Sequence, residues 1–171
     1  MIKTYLITIM FILYSSIALS AGSDGGDSKA DPYKTALNHL KSGKKLEKKG
    51  KIKKAKKRYV KAFERFLKLY QVDKSNPDIL NYLGFTSRKI GKFEDAEIYY
   101  KLGLEIDPKH NGINEYLGEL YLSTNRPGLA KERLLVLKDC SCEEYDELKA
   151  LIEGKKAVSY THLTLPTIYS V

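Results

Sequence analysis

The sequence predicts an all-α fold: a solenoid of about three stacked helical hairpins closed by a capping helix. Three spacings predict it. Gly84 and Gly118 are 34 residues apart, and so are Ala96 and Ala130. The stretches NPDILNYLGFTSRKIGKFEDAEIYYKLGLEIDP and NGINEYLGELYLSTNRPGLAKERLLVL align on that period. Gly43, Gly50, Ala55 and Tyr59 precede Gly84, Gly91, Ala96 and Tyr100 by a constant 41 residues, one period plus seven. A fixed period of this size marks hairpins that bury their apolar faces only by stacking on a neighbour.

Both ends of the 171-residue chain stand outside that pattern. Residues 1–20 have one early cation, Lys3, then an apolar run from Tyr5 to Tyr14 and a small-residue close. Ala18 and Ser20 suit the −3 and −1 positions of a cleavage site, so the segment reads as a signal peptide and the mature chain as periplasmic. An uncleaved membrane anchor is the alternative, disfavoured because the apolar core is short for a span of about 20 residues. Residues 21–31, rich in Gly, Ser and Asp, read as a flexible leader. At the other end, residues 158–171 lose all charge and match no repeat position. Their first ten letters, VSYTHLTLPT, resemble the translation of a transposon-end adapter used in short-read DNA libraries, so this tail is expected to be non-native.

The elements follow in order. Asp31 offers an N-cap and Pro32 a first helical position for a helix to about Lys49. The second helix is predicted from Lys53 to near Tyr70, about two turns longer than its later counterparts. Its apolar stripe is Ala55, Tyr59, Ala62, Phe63, Phe66 and Leu67. Together these make a basic first hairpin over 32–73. In the second repeat, 74–109, Gly91 permits the reversal and Pro108 stops the second helix. The third, 110–140, has Asn125 at the turn and Pro127 opening its second helix. In 141–157, Ser141 is expected to cap a last helix whose early Glu143 and Glu144 suit a positive helix start.

Leu80, Leu83 and Gly84, the turn at Gly91 with Phe93, then Ala96, Tyr100, Gly103 and Pro108 resemble the tetratricopeptide repeat (TPR). Leu117, Gly118, Tyr121, Ala130 and Leu134 repeat the pattern. Gly84, Ala96, Tyr100, Gly118 and Ala130 are the expected repeat-packing residues. The Lys-heavy text and the runs NYLGF, AEIYYKLGLEI, INEYLGELY and KERL resemble small exported members of this family from marine alphaproteobacteria.

The resemblance implies a non-enzymatic scaffold that binds a protein or peptide along a groove lined by the first helices. Carried over by motif position, the groove residues are Lys44 and Lys48, then Asn81, Phe85, Arg88 and Lys89, then Glu115 and Glu119. Leu40 and Leu122 flank them. Relative to the family's chaperone-tail receptors, Leu40 replaces the first clamp lysine, so an EEVD-type C-terminus is not the expected ligand. A peptide of mixed charge, with Phe85 as apolar anchor, fits better. The competing reading is that several of these side chains pack against a neighbouring hairpin.

Charge is distributed unevenly. Residues 34–68 hold 15 Lys or Arg against 2 acids, whereas 69–157 hold 13 basic and 16 acidic residues. The basic run reads as a solvated face or as a dock for an anionic membrane surface, which gives an alternative role in envelope assembly. Export argues against nucleic acid as a partner.

Cys140 and Cys142, in a C-S-C, read as two structural thiols or a local disulfide at a helix junction, with redox or copper chemistry as alternatives. No catalytic constellation appears: Ser42 and Lys45 give a Ser-x-x-Lys spacing only because the run is Lys-rich. Glu94, Asp95 and Glu97 are expected at solvent positions. No cofactor and no metal site is expected.

Overall fold

A computed structural model describes residues 31–155. The signal-peptide and tail expectations, and the leader up to residue 30, lie outside the described residues. Within them the chain forms seven helices: α1 (Pro32–Lys48), α2 (Ile52–Val72), α3 (Pro77–Ile90), α4 (Phe93–Ile106), α5 (Asn111–Ser123), α6 (Pro127–Val136) and α7 (Glu143–Ile152). They pair as α1/α2, α3/α4 and α5/α6, with α7 packed on α5 and α6. This is an all-α hairpin solenoid.

Side-chain caps open α1, α3 and α5. The Asp31 carboxylate accepts from the Tyr33 N–H at 2.9 Å, with Pro32 opening α1. Asn76 accepts from Asp78 and Ile79 ahead of Pro77, satisfying donors that have no partner inside the helix. The turns are equally explicit: Gly91 takes φ 91° at the end of α3, and Asn125 takes φ 58° between α5 and α6.

Packing follows one device, a small residue under a large one. A Cβ on Gly43 would lie 2.5 Å from Tyr59, and one on Gly84 would lie 2.4 Å from Tyr100. Both tyrosines are fully buried, as are Ala55, Ala96 and Ala130. The third hairpin has no such ring in α6. Gly118 is covered by Leu148 of α7, whose side chain comes within 2.6 Å of an added Cβ. The capping helix thus completes the last hairpin's core as well as shielding it.

Two expectations need correction. Ser141 does not cap α7; Cys142 holds the N-cap position without a side-chain cap bond. A disulfide joins Cys140 to Cys142, and Ser141, enclosed by that short ring, takes a left-handed φ of 48° that shifts the helix start by one residue. Glu97 is not a plain solvent residue either. It accepts from Arg126 at 2.7 Å and Lys101 at 2.8 Å, linking α4 to the start of α6.

Candidate functional site: a charge-sorted trough

The inner helices α1, α3 and α5 form one concave wall, and α7 closes its end. Two adjoining clefts occupy this surface. One, of about 380 Å³, is lined by residues including Lys48, Phe85, Arg88, Lys89, Glu119 and Leu151. The other, of about 600 Å³, runs past Asn81, Tyr82 and His110 to Glu144. They share Lys44, Glu115 and Tyr116, so they form a single trough. All eight residues assigned to the groove from the sequence line it. Leu40 borders it but is 95 % buried in the first core cluster, and Leu122 packs against the second.

Position in the trough is not the same as freedom to bind. Arg88 is buried and pairs with Glu119 at 2.5 Å, and Lys89 pairs with Glu47 at 2.9 Å. The Tyr59 hydroxyl donates to the second Glu47 oxygen at 2.5 Å. These pairs join α3 to its two neighbours, so three of the expected ligand groups already serve the stack. Phe85 is only 4 % exposed and lies in the floor, 5.0 Å from the Tyr116 ring centroid. Lys44, Arg88 and Lys89 sit at 4.5, 5.7 and 5.5 Å from its centroid, a cation–π arrangement that leaves little of the ring for a ligand. Phe85 is therefore not a protruding anchor.

What remains available is sorted by charge. Among the described residues no carboxylate is in salt-bridge contact with Lys44, which donates to the Tyr116 hydroxyl at 3.2 Å. Burial lowers its pKa, against the opposing pull of Glu115 and Glu119. Lys48 extends the cationic edge on α1 and is exposed. Across the trough stand Glu115 on α5 and Glu144 on α7, with Glu119 between the helices already engaged by Arg88. Burial, then the neighbouring charges of Glu119 and Glu144, push the Glu115 carboxyl up to about 8, with Lys44 and Arg88 opposing. By contrast, burial works against the Arg88 charge, but Glu119 beside it keeps it cationic.

Glu115 makes stability depend on pH with a definite sign. Its folded pKa lies above the unfolded value, so its contribution is fully present below about pH 4.5 and lost as pH rises through about 8. Glu115→Gln should therefore gain stability over wild type progressively from pH 4.5 to 8. Thermal melts across that range check it; parallel profiles for the two proteins would refute it.

At the rim, His110 caps α5: its Nδ1 accepts from the Ile113 N–H at 3.2 Å. That bond places the ring proton on Nε2, which meets the Asp78 carboxylate at 3.1 Å. Asn81 lies beneath, buried, with its side-chain oxygen unpartnered. Sequence reasoning missed Tyr82 and Tyr116, although the repeated Tyr-Leu-Gly at 82–84 and 116–118 carries the signal. It also missed Glu47, whose partner Lys89 is 42 residues away and which no local pattern links to it. Among the described residues no group of His, Cys, Asp and Glu could hold a metal ion, and no helix is long and apolar enough to cross a membrane.

No protein-family model matches the sequence, and no curated protein matches it. Solved structures do. The Yersinia enterocolitica type III secretion translocator chaperone SycD is similar at TM-score 0.56 and 21% identity, over 72% of this chain and 77% of that one. SycD in complex with a peptide of the translocator YopD gives 0.54 and 21%, over 73% and 92%. The second TPR domain of human RPAP3, in complex with the HSP70 peptide SGPTIEEVD, gives 0.51 and 18%, over 72% and 98%. At this identity the likeness shows the fold, which is that of a TPR solenoid.

Proposed function

We propose that this chain is a non-enzymatic adaptor, exported to the bacterial periplasm, that binds a peptide segment of a protein partner in its concave trough. One observation carries the reading: Lys44 and Lys48 face Glu115 and Glu144 across an aromatic floor. Such a trough favours a segment with an acidic flank toward α1 and a basic flank toward α7, whose cation would favour the ionised form of Glu115 beside Glu144. The peptide complexes of SycD and of RPAP3 support a peptide ligand in this fold. Export rests on residues 1–20, with membrane anchoring by that segment as the alternative, and cell fractionation tests it.

The mechanism is binding by a preformed surface. Buried ion pairs hold the three hairpins in register, so the ordering cost falls on the ligand. Lys44 and Glu115 are the residues to change, because Arg88 and Glu119 hold the stack together. Lys44→Gln should weaken peptide capture about tenfold, the loss expected for one charge-assisted contact. The test is affinity capture from envelope extract by wild type beside a Lys44→Gln/Glu115→Gln variant that melts no lower than wild type at the pH of capture. Equal capture of the same protein by both would remove the trough from consideration.

A further inference from the structure

The trough does not use the most charged part of the molecule. The basic run lies along the outer side of the stack, over the first three turns of the 21-residue α2. Lys51, Lys53, Lys54, Lys57, Arg58 and Lys61 are all exposed there. Among the described residues none of these six is in a salt bridge with a carboxylate; Arg58 reaches only His39, at 3.4 Å. Two shallow clefts of about 350 Å³ each meet at Lys54. Their walls are these six cations with Leu46, Ile52 and Gly50, and no acid lines either. Val60 is also exposed on this helix.

We propose that this outer face of the α1–α2 hairpin docks on an anionic bilayer surface, its cations meeting lipid phosphates and its aliphatic residues meeting the glycerol level. Lysine stems can lie along such a surface while their ammonium groups reach the headgroups. The apolar residues between the cations favour lipid over a nucleic-acid duplex, which offers phosphates but no apolar layer beneath them. No aromatic side chain lines either cleft for stacking on bases. Docking through α2 would leave the trough open, since its lining comes from other helices. The proposal stands independently of the peptide-binding reading.

Flotation of the full chain with phosphatidylcholine vesicles, with and without about one-third phosphatidylglycerol, tests it. Binding should require the anionic lipid at about 0.01 M salt and vanish near 1 M. Each cation near the headgroups contributes about fivefold, so Lys53→Gln/Lys54→Gln/Lys57→Gln/Lys61→Gln should lose several-hundred-fold in partitioning. A second variant, Lys74→Gln/Lys109→Gln/Lys131→Gln/Lys138→Gln, removes the same charge elsewhere and should retain most binding. Three results would overturn the proposal: no flotation at low salt, equal losses in the two variants, or tighter binding to a DNA duplex than to vesicles of equal phosphate concentration.

Discussion

Gly84→Ala should destabilise the protein by about 2 to 3 kcal/mol, despite alanine being the better helix former. The new Cβ would fall 2.4 Å from Tyr100 Cε1 and 2.5 Å from Cδ1. Tyr100 has no space to withdraw into: it is fully buried in the second core cluster. Either the ring leaves its rotamer or α3 and α4 separate, and both disturb Arg88, which interacts with Tyr100. A domain of this size should lose on the order of 8–12 °C in melting temperature. Two further substitutions calibrate the result. Gly118→Ala meets only the branched end of Leu148 and should cost less. Gly128→Ala meets nothing within 4 Å and should be neutral or slightly stabilising. Melting all three by circular dichroism gives an order of severity. If Gly84→Ala melts no lower than Gly128→Ala, close helix approach at Gly84 is not what holds the second hairpin.

That contrast also shows what the sequence could and could not reveal. The Gly84–Tyr100 and Gly43–Tyr59 contacts each lie within one hairpin, so the repeat period exposes them as recurring pairs. The Gly118–Leu148 contact breaks the period, because α7 supplies the cover that α6 lacks, and it was invisible in the alignment. The trough shows the same division. Motif position placed Lys44, Arg88 and Glu119 on one surface, since the inner helices present equivalent positions to it. Whether those charges face solvent or each other depends on the angle between hairpins, which no spacing encodes. Local backbone chemistry was legible at Gly91 and Asn125, where a reversal demands a left-handed residue. At Ser141 it was misread, because the disulfide around that residue overrides its preference as a cap.

Arg88→Met should cost about 3 to 5 kcal/mol, the penalty typical of removing one partner from a buried ion pair. The guanidinium is 4% exposed and meets Glu119 at 2.5 Å, while Glu119 itself is 15% exposed. Without Arg88, Glu119 would stand near Glu115 with no cation in contact, and the Tyr100 hydroxyl would lose its charged neighbour. The loss should therefore come mainly from what is stranded rather than from the pair's net worth. Arg88→Met/Glu119→Leu removes both charges and keeps the volume apolar, so it should recover most of the stability lost in the single variant. Denaturant midpoints for wild type, single and double variants measure this directly. A single variant within about 1 kcal/mol of wild type would show that the pair is solvated rather than structural. A double variant as unstable as the single would show that the guanidinium stabilises through its contacts with Phe85 and Tyr116 instead. The double variant also separates fold from function. If it is stable yet captures no peptide, the Arg88–Glu119 pair takes part in recognition as well as in the stack; if it binds as wild type does, recognition rests on Lys44, Glu115 and the edges of the trough.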